Sequence, residues 1–490
     1  MKLKLLRFLK VYLLKILYTL IGILIGAVTL YIYLMNNRPD LYLLHTVYLA
    51  EEYSIDRQAE ITSFDDYLAL EDKLFKQLQT DIYSKPSTLP RNELNRYENG
   101  SLADPGSYPK NWNRSFILKP DQPRGGVLLL HGLSDSPYSL RALAEELYQQ
   151  DYYVLGLRMP GHGTAPSGLV HASWQDMAAA VKLAADHVNR QIGAQQALYI
   201  LGYSMGAAQA VNYSLDALQD KNLRRVDAMV LISPAIGVSG VAALAVWQAR
   251  LSILPGLHKL AWNSIRPEYD QYKYNSFAVN AGDQMYRLTK EIDNKLSTLN
   301  AAAGTGQFPK TLALMSLVDA TVSTHAIVTH LFDKLNNAGN ELVVFDINRN
   351  EIFTLFLKDD PIKDYRALLN RGQLKFDLTF YTDESKDSEA VVAHRWLQLD
   401  GSRTLEQTGM TWPSHVYSLS HVALPFPPTD SLYGSNPEEK EGLHIGQLET
   451  KGEKGILNIN ASDMLRLRYN PFYSKMQQHI IDFLTDAPVN

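Results

Sequence analysis

The chain has 490 residues, 46% hydrophobic and 20% charged, with a formal net charge of -5. That length suits one large domain with insertions, or two domains, and that charge gives no signal for a polyanion, so nucleic acid is not expected as a partner. Cysteine is absent, which excludes disulfides, thiolate catalysis and cysteine-ligated metal sites and suits folding in an oxidising compartment.

Ile16 to Asn37 carries no charge and is nearly all apolar, long enough to cross a bilayer core as a helix. Lys2, Lys4, Arg7, Lys10 and Lys15 precede it, and only Arg38 follows closely, beside Asp40. The positive-inside bias places the first residues in the cytoplasm and the rest of the chain outside, in the periplasm of a two-membrane bacterium. A cleaved signal peptide is the rival reading. Its apolar core is shorter and ends in small residues, whereas this run ends Tyr31-Ile-Tyr-Leu-Met35-Asn-Asn. An uncleaved anchor is therefore expected, with Tyr31 and Tyr33 suited to the outer interface. Gly22 and Gly26 fit a helix-pairing face, and equally two glycines in a lone membrane helix.

Leu41 to Glu52 reads as a short helix. Ser63-Phe-Asp-Asp66 opens another with a capping-box pattern, and apolar residues recur at helical spacing to about Ile82. Lys85 to Gly106, rich in Pro, Asn and Gly, reads as a linker.

Short apolar runs then alternate with amphipathic stretches. The expected strands are Ser115–Leu118, Gly126–Leu130, Tyr152–Leu157, Ala197–Gly202, Ala228–Ile232, Thr311–Ser316 and Glu341–Ile347. The expected helices include Leu140–Gln150, Ser173–Ile192 and Ala207–Leu218. Such alternation predicts an α/β fold, a mostly parallel sheet covered on both faces, with its site at the carboxyl ends of the strands. Ile236 to Lys310 breaks the pattern as a long helical segment rich in aromatics, including Trp247, Trp262, Tyr269, Tyr272 and Tyr274, and is expected to cap those ends. Asn348 to Trp412 reads as a second, more polar insertion, with Asp383-Glu-Ser-Lys-Asp387 as a solvated loop.

Gly202-Tyr-Ser204-Met-Gly206 ends an apolar run and opens a small-residue helix. By chance Gly-x-Ser-x-Gly arises roughly 0.1–0.2 times in a chain this long. Between a strand and a helix, the two glycines leave room for a strained serine whose hydroxyl stands proud, and the helix start favours negative charge there. Ser204 is the expected nucleophile; a turn serine is the structural alternative. It needs a base, and the base an orienting acid. Asp319 follows the strand Thr311–Ser316 and offers the acid, although an N-cap aspartate reads the same way; Asp346 is its rival but lies within a strand. His421 offers the base. His415 precedes the apolar run, and His394 sits in what reads as a helix. The order Ser, Asp, His is that of α/β-hydrolases. For the oxyanion, Met205 N–H follows the nucleophile, and Leu133 N–H follows an earlier strand in His131-Gly-Leu133. His131 is expected to hold that loop by hydrogen bonds.

"HGLSDSPYSLRALAEEL", "LRMPGHGTAPSGL", "GYSMGA", "LVDATVS" and "SLSHVALPF" resemble the α/β-hydrolase superfamily, in its bacterial serine aminopeptidase-like, monoacylglycerol lipase-like and lysophospholipase-like branch. The resemblance covers Ser115 to Phe426 apart from the two insertions. It implies Ser204 as nucleophile, Asp319 as acid, His421 as base, and Leu133 and Met205 as oxyanion donors. Pro160-Gly-His-Gly163 matches a loop that lines the family's site, with no proton-transfer role given to His162. The departure is the long stretch between Ile347 and His421.

The expected organisation is thus residues 1–37 as basic end and transmembrane anchor, 38–114 as helical lead-in and linker, and 115–490 as an α/β-hydrolase domain interrupted at 236–310 and 348–412. The expected activity is ester hydrolysis by an anchored serine hydrolase, on lipid or lysophospholipid esters, with no cofactor and no metal. His162 and His171 lack helical spacing, and there is no HExxH. Two alternatives stand beside it: a peptidase or amidase, for which Glu268, Asp270 or Asp283 would hold a free amine, and a tethered pseudo-hydrolase that binds without turnover. The oligomeric state is open.

Overall fold

The computed structural model describes residues 2–85, 94–237, 252, 257–301, 304–319, 321–349, 362–363, 374–385, 387–398, 400–414, 416–438, 442–445 and 466–486. Helix α1 (Lys2–Asn36) comes first. Its Lys10–Asn36 stretch is long and apolar enough to cross a membrane, and its most apolar window is wholly unburied. Helix α2 (Phe64–Leu78) starts at the expected capping box: Asp66 N–H donates to Ser63 Oγ at 3.1 Å, and Ser63 N–H donates back to Asp66 Oδ2 at 2.9 Å. The reading of Leu41 to Glu52 as a helix overshoots, since only Leu43–Thr46 is helical.

Among the described residues the main sheet has ten strands: β1 (Phe116–Leu118), β2 (Gly125–Leu130), β3 (Tyr152–Leu157), β4 (Ala197–Tyr203), β5 (Ala228–Ile232), β6 (Lys310–Ser316), β7 (Glu341–Phe345), β8 (Asp377–Asp383), β9 (Ala390–Trp396) and β10 (Arg403–Thr411). Their order is β1-β3-β2-β4-β5-β6-β7-β8-β9-β10. Strands β3 through β8 run parallel; β1, β9 and β10 pair antiparallel. Successive side chains face opposite sides. Leu128, Leu130, Ile200, Met229, Leu231 and Ala313 join one core. Helices α4 (Trp174–Ile192), α5 (Met205–Gln219) and α6 (Val279–Ala301) cover that face. Val127, Leu129, Leu201, Val230, Leu312 and Leu314 join the other core, under α3 (Arg141–Gln149) and α7 (Tyr473–Thr485).

The structure also differs from the sequence reading in the second insertion, the cap and the linker. Residues 348–412 are not an insertion away from the sheet, because 377–411 supplies β8, β9 and β10. β8 continues the parallel order, with Leu378 beside Leu342 and Phe380 beside Val344. The polar character that suggested an insertion belongs to β10, an edge strand with no buried residue. The segment 236–310 is only partly a cap. Its second half is α6, whose Leu288, Ile292 and Leu296 pack in the same core as Ala208, Val211 and Leu215 of α5. Trp247 lies outside the described residues. The stretch 94–106 is not a free linker: Asn95, Arg96, Ala103 and Asp104 are buried, and Arg96 N–H donates to Glu268 O at 2.8 Å.

Candidate active site

β4 ends at Tyr203 and α5 begins at Met205, so a single residue, Ser204, turns the chain from strand to helix. It does so at φ 54° and ψ −112°, a conformation that costs a non-glycine residue about 1–3 kcal/mol and persists only where its surroundings impose it. They do: Ser204 N–H donates to Ile232 O at 2.9 Å, and Ser204 O accepts from Ala235 N–H at 3.1 Å. The flanking glycines are sterically required. A Cβ on Gly202 would lie 2.4 Å from Ala207 N, and one on Gly206 would lie 2.0 Å from Leu130 O.

The turn brings Ser204 Oγ to 3.1 Å from His421 Nε2, and His421 Nδ1 lies 2.7 Å from Asp319 Oδ2. A carboxylate only accepts, so Nδ1 carries the proton and Nε2 is free to take one from the hydroxyl. The Asp319 side chain is fully buried. Its Oδ1 accepts Thr321 N–H at 2.8 Å and Val322 N–H at 3.0 Å. His421 follows a buried Leu419 whose carbonyl accepts from Ser316 Oγ at 2.9 Å, while Tyr203 Oη donates to His421 O at 3.3 Å. Strand ends β4 and β6 therefore position the histidine loop directly.

The rival residues lie elsewhere. Asp346 is consumed by Arg349, at 2.6 and 2.9 Å, by Thr382 Oγ1 at 2.8 Å and by Ile347 N–H at 2.8 Å. His394 lies on strand β9, not on a helix, opposite Phe380 and Leu405. His415 lies outside the described residues.

Leu133 N–H and Met205 N–H make no hydrogen bond to another described residue. Both amides are thus available to an oxyanion, and Met205 also stands at the positive end of α5. The loop carrying Leu133 is held as expected by His131. Nδ1 of His131 donates to Gly132 O at 2.9 Å, and Nε2 accepts Met159 N–H at 3.0 Å. Burial holds this imidazole well below its ordinary range, hence neutral. His162 Nδ1 bonds Pro160 O at 2.9 Å, and burial lowers its pKa to about 4.

Several residues of the site had no sequence signal. Asp135, two positions past Leu133, pairs with Lys273 of the cap at 2.8 Å, and burial pushes its carboxyl up. Tyr274 N–H donates to Ser134 O at 2.8 Å, tying the cap to the same loop. Arg158, at the end of β3, sits between Glu71 Oε2 at 2.9 Å and Glu52 at 3.0–3.1 Å. Glu52 Oε2 also accepts Gly161 N–H at 2.9 Å. The lead-in segment thereby holds the Pro160–Gly163 loop from behind.

The cap carboxylates are spoken for. Glu268 accepts Asn275 N–H at 2.9 Å and Ser276 N–H at 2.7 Å, and burial raises its pKa to about 7. Asp270 receives Tyr433 Oη on both oxygens, at 2.7 and 2.8 Å, and Asp283 pairs with Arg287 at 2.7 Å. Among the described residues no group of three or more histidine, aspartate and glutamate side chains is arranged to hold a metal ion.

The model of the family described as "Serine aminopeptidase, S33" matches residues 121–346. The thermostable monoacylglycerol lipase of Bacillus sp. (strain H-257) is 29% identical over 118 residues, 24% of this chain and 44% of that protein. The alignment thus spans less than half of that relative's length. Among solved structures, the Paleococcus ferrophilus monoacylglycerol lipase shows 19% identity over 47% of this chain and 88% of its own, with a TM-score of 0.36. A soluble variant of the Saccharomyces cerevisiae monoglyceride lipase, in complex with a substrate analogue, shows 15% identity over 47% and 82%, with a TM-score of 0.35. The family match lies over β2 to β7, the strands that carry the serine turn and order the sheet, and the fold is that of an α/β-hydrolase.

Proposed function

We propose that this chain is a membrane-anchored serine hydrolase that cleaves carboxylic esters of single-chain lipids such as monoacylglycerols or lysophospholipids. The observation that carries this reading is the unbroken line from Ser204 Oγ through His421 to the buried Asp319 carboxylate. In the proposed reaction, Ser204 Oγ attacks the ester carbonyl carbon while its proton passes to His421 Nε2. The carbonyl oxygen becomes an oxyanion against the Leu133 and Met205 amides. Collapse breaks the carbon–oxygen ester bond, and His421 returns the proton to the leaving alcohol. Water then attacks the acyl-enzyme, giving its proton to His421, and the acid leaves as Ser204 regains a hydrogen. The exposed apolar α1 supports the anchor, with the basic first residues inside and the hydrolase domain outside.

A peptidase reading has the family description behind it. It needs a carboxylate free to hold a substrate ammonium, and Glu268, Asp270 and Asp283 are each satisfied by their own neighbours. The test is initial rates on p-nitrophenyl esters from acetyl to palmitoyl, with aminoacyl p-nitroanilides and Ser204→Ala alongside. Ester turnover that vanishes in Ser204→Ala is the expected result. Turnover of the anilides alone would replace this reading with the peptidase one. Absence of all turnover would favour a pseudo-hydrolase, and turnover surviving in Ser204→Ala would sink the mechanism.

A further inference from the structure

The outer end of α1 is fastened to the cap. Arg38 Nη1 donates to Lys259 O at 3.1 Å and Nη2 to Asn263 O at 2.6 Å. Lys259 Nζ reaches back to Arg38 O at 2.9 Å and to Asp40 Oδ1 at 3.0 Å. Four hydrogen bonds thus join segments more than 200 residues apart, two positions after the helix ends at Asn36. A free tether needs no such reciprocal pairing. Three residues further on, Leu41 packs against the buried cluster of Leu169, Trp262, Ile265 and Tyr274. Leu133, whose amide is the candidate oxyanion donor, packs on that same cluster. The segment that follows α1 and the loop that carries Leu133 thus pack on one common apolar cluster.

The surface beside this junction is apolar where the chain emerges. Leu43 is 41% exposed and Tyr48 65% exposed. A cavity of about 580 Å³ lies beside this segment, lined by Leu41, His45, Val170 and Trp262 together with Asp283 and Arg287. Apolar side chains and an aromatic ring following a spanning helix match the interfacial layer of a bilayer.

We propose that the Arg38–Lys259 clamp seats the hydrolase domain in one fixed orientation on the outer leaflet, with Leu43 and Tyr48 in the interfacial layer and the cap side of the site facing the lipid. This rests on the anchored-hydrolase reading above and adds how substrate arrives: laterally from the leaflet, across the Leu41 side of the cap.

The absence of cysteine makes the test direct. Full-length Tyr48→Cys carrying a nitroxide is placed in phosphatidylcholine–phosphatidylglycerol vesicles, with Leu43→Cys as a second probe. Tyr148→Cys serves as the water-exposed control, since Tyr148 is 41% exposed in the last turn of α3, next to the amino end of β3 and not at the carboxyl ends that carry the site. Paramagnetic accessibility is expected to place positions 43 and 48 at interfacial depth and 148 in water. With Arg38→Ala and Lys259→Ala combined, positions 43 and 48 should become water-accessible. In the same variant, hydrolysis of monoolein in the vesicles should fall roughly tenfold as orientation is lost, while soluble p-nitrophenyl butyrate turns over at the wild-type rate. Positions 43 and 48 as aqueous as 148, or a clamp variant that leaves their depth unchanged, overturns the proposal. Equal loss on both substrates also overturns it, because the clamp would then serve the fold of the site. Wild-type failure on the soluble ester counts against the proposed activity alone, since the depth measurement does not depend on turnover.

Discussion

Asp319 Oδ2 lies 2.7 Å from His421 Nδ1, while Asp319 Oδ1 accepts two backbone amides, so the carboxylate cannot rotate without losing three bonds. Replacing it by Asn keeps the shape but offers an NH2 where an acceptor is needed, which turns the imidazole to the wrong tautomer. Asp319→Asn is expected to fold normally and lose ester turnover by about 10⁴-fold, the scale of such changes in serine triads. The check is kcat on a p-nitrophenyl ester beside a thermal melt. A loss below about tenfold would remove Asp319 from the orienting role.

The serine elbow makes a steric prediction. Gly206→Ala puts a methyl 2.0 Å from Leu130 O, a backbone atom with no room to move. Overpacking of this kind costs about 3 kcal/mol or more, so the melting temperature should drop by several degrees. Gly282→Ala is the control. It sits inside α6 with nothing closer than Phe277 Cε1 at 3.9 Å. There, relief from glycine should stabilise the fold by about 0.5–1 kcal/mol.

The glycines on either side of Ser204 also show what a sequence can and cannot convey. Gly202 and Gly206 announced their turn because spacing around one serine is a local pattern, and the parallel strands announced themselves by continuous apolar runs such as Val127–Leu130. Strand β10 did not, because an edge strand with a solvated face carries as many polar residues as a loop, as Arg403–Thr411 does along its whole length, whereas β8 is largely buried and β9 partly so. His421 reads as the base from its place after a short apolar run, from chain order and from the resemblance of its motif, and the distance from Ile347 that sets it apart is the β8–β10 extension. The Asp135–Lys273 pair and the Glu52–Arg158–Glu71 network join residues brought together only by tertiary folding, so no spacing in the chain foreshadows them.

That network gives a stability prediction. Arg158 and Glu71 are nearly inaccessible, at 1% and 2% side-chain exposure, and Glu52 is at 17%. Arg158→Met leaves two carboxylates facing each other out of water. Breaking a buried pair from one side costs about 3–5 kcal/mol, whereas replacing all partners by apolar residues is often neutral. Urea unfolding should show that loss for Arg158→Met and recovery of most of it when Glu52→Leu and Glu71→Leu are added. Because Gly161 N–H bonds Glu52, the single variant should also lower kcat/KM. A single variant within about 1 kcal/mol of wild type would mean that the network carries little of the fold's stability.

Burial sets the direction of the response to pH. His45 and His162 are both pushed from 6.5 to about 4 by burial. Their folded pKa values lie below their unfolded ones, so the unfolded chain binds protons that the folded chain refuses. Their contribution is whole above about pH 6.5 and is lost as pH falls toward 4, on the order of 3 kcal/mol for each histidine. Glu268 runs the other way. Burial raises it from 4.5 to about 7, so the folded chain keeps a proton that the unfolded chain releases, and that contribution is lost as pH rises from about 4.5 to 7. The signs are clearest as differences between variants. His45→Gln should flatten the gain in unfolding free energy between about pH 5 and pH 6.5, and Glu268→Gln should steepen it. Urea titrations of the three chains at those two pH values read both slopes. Parallel slopes in all three would mean that neither group has its proton affinity changed by folding.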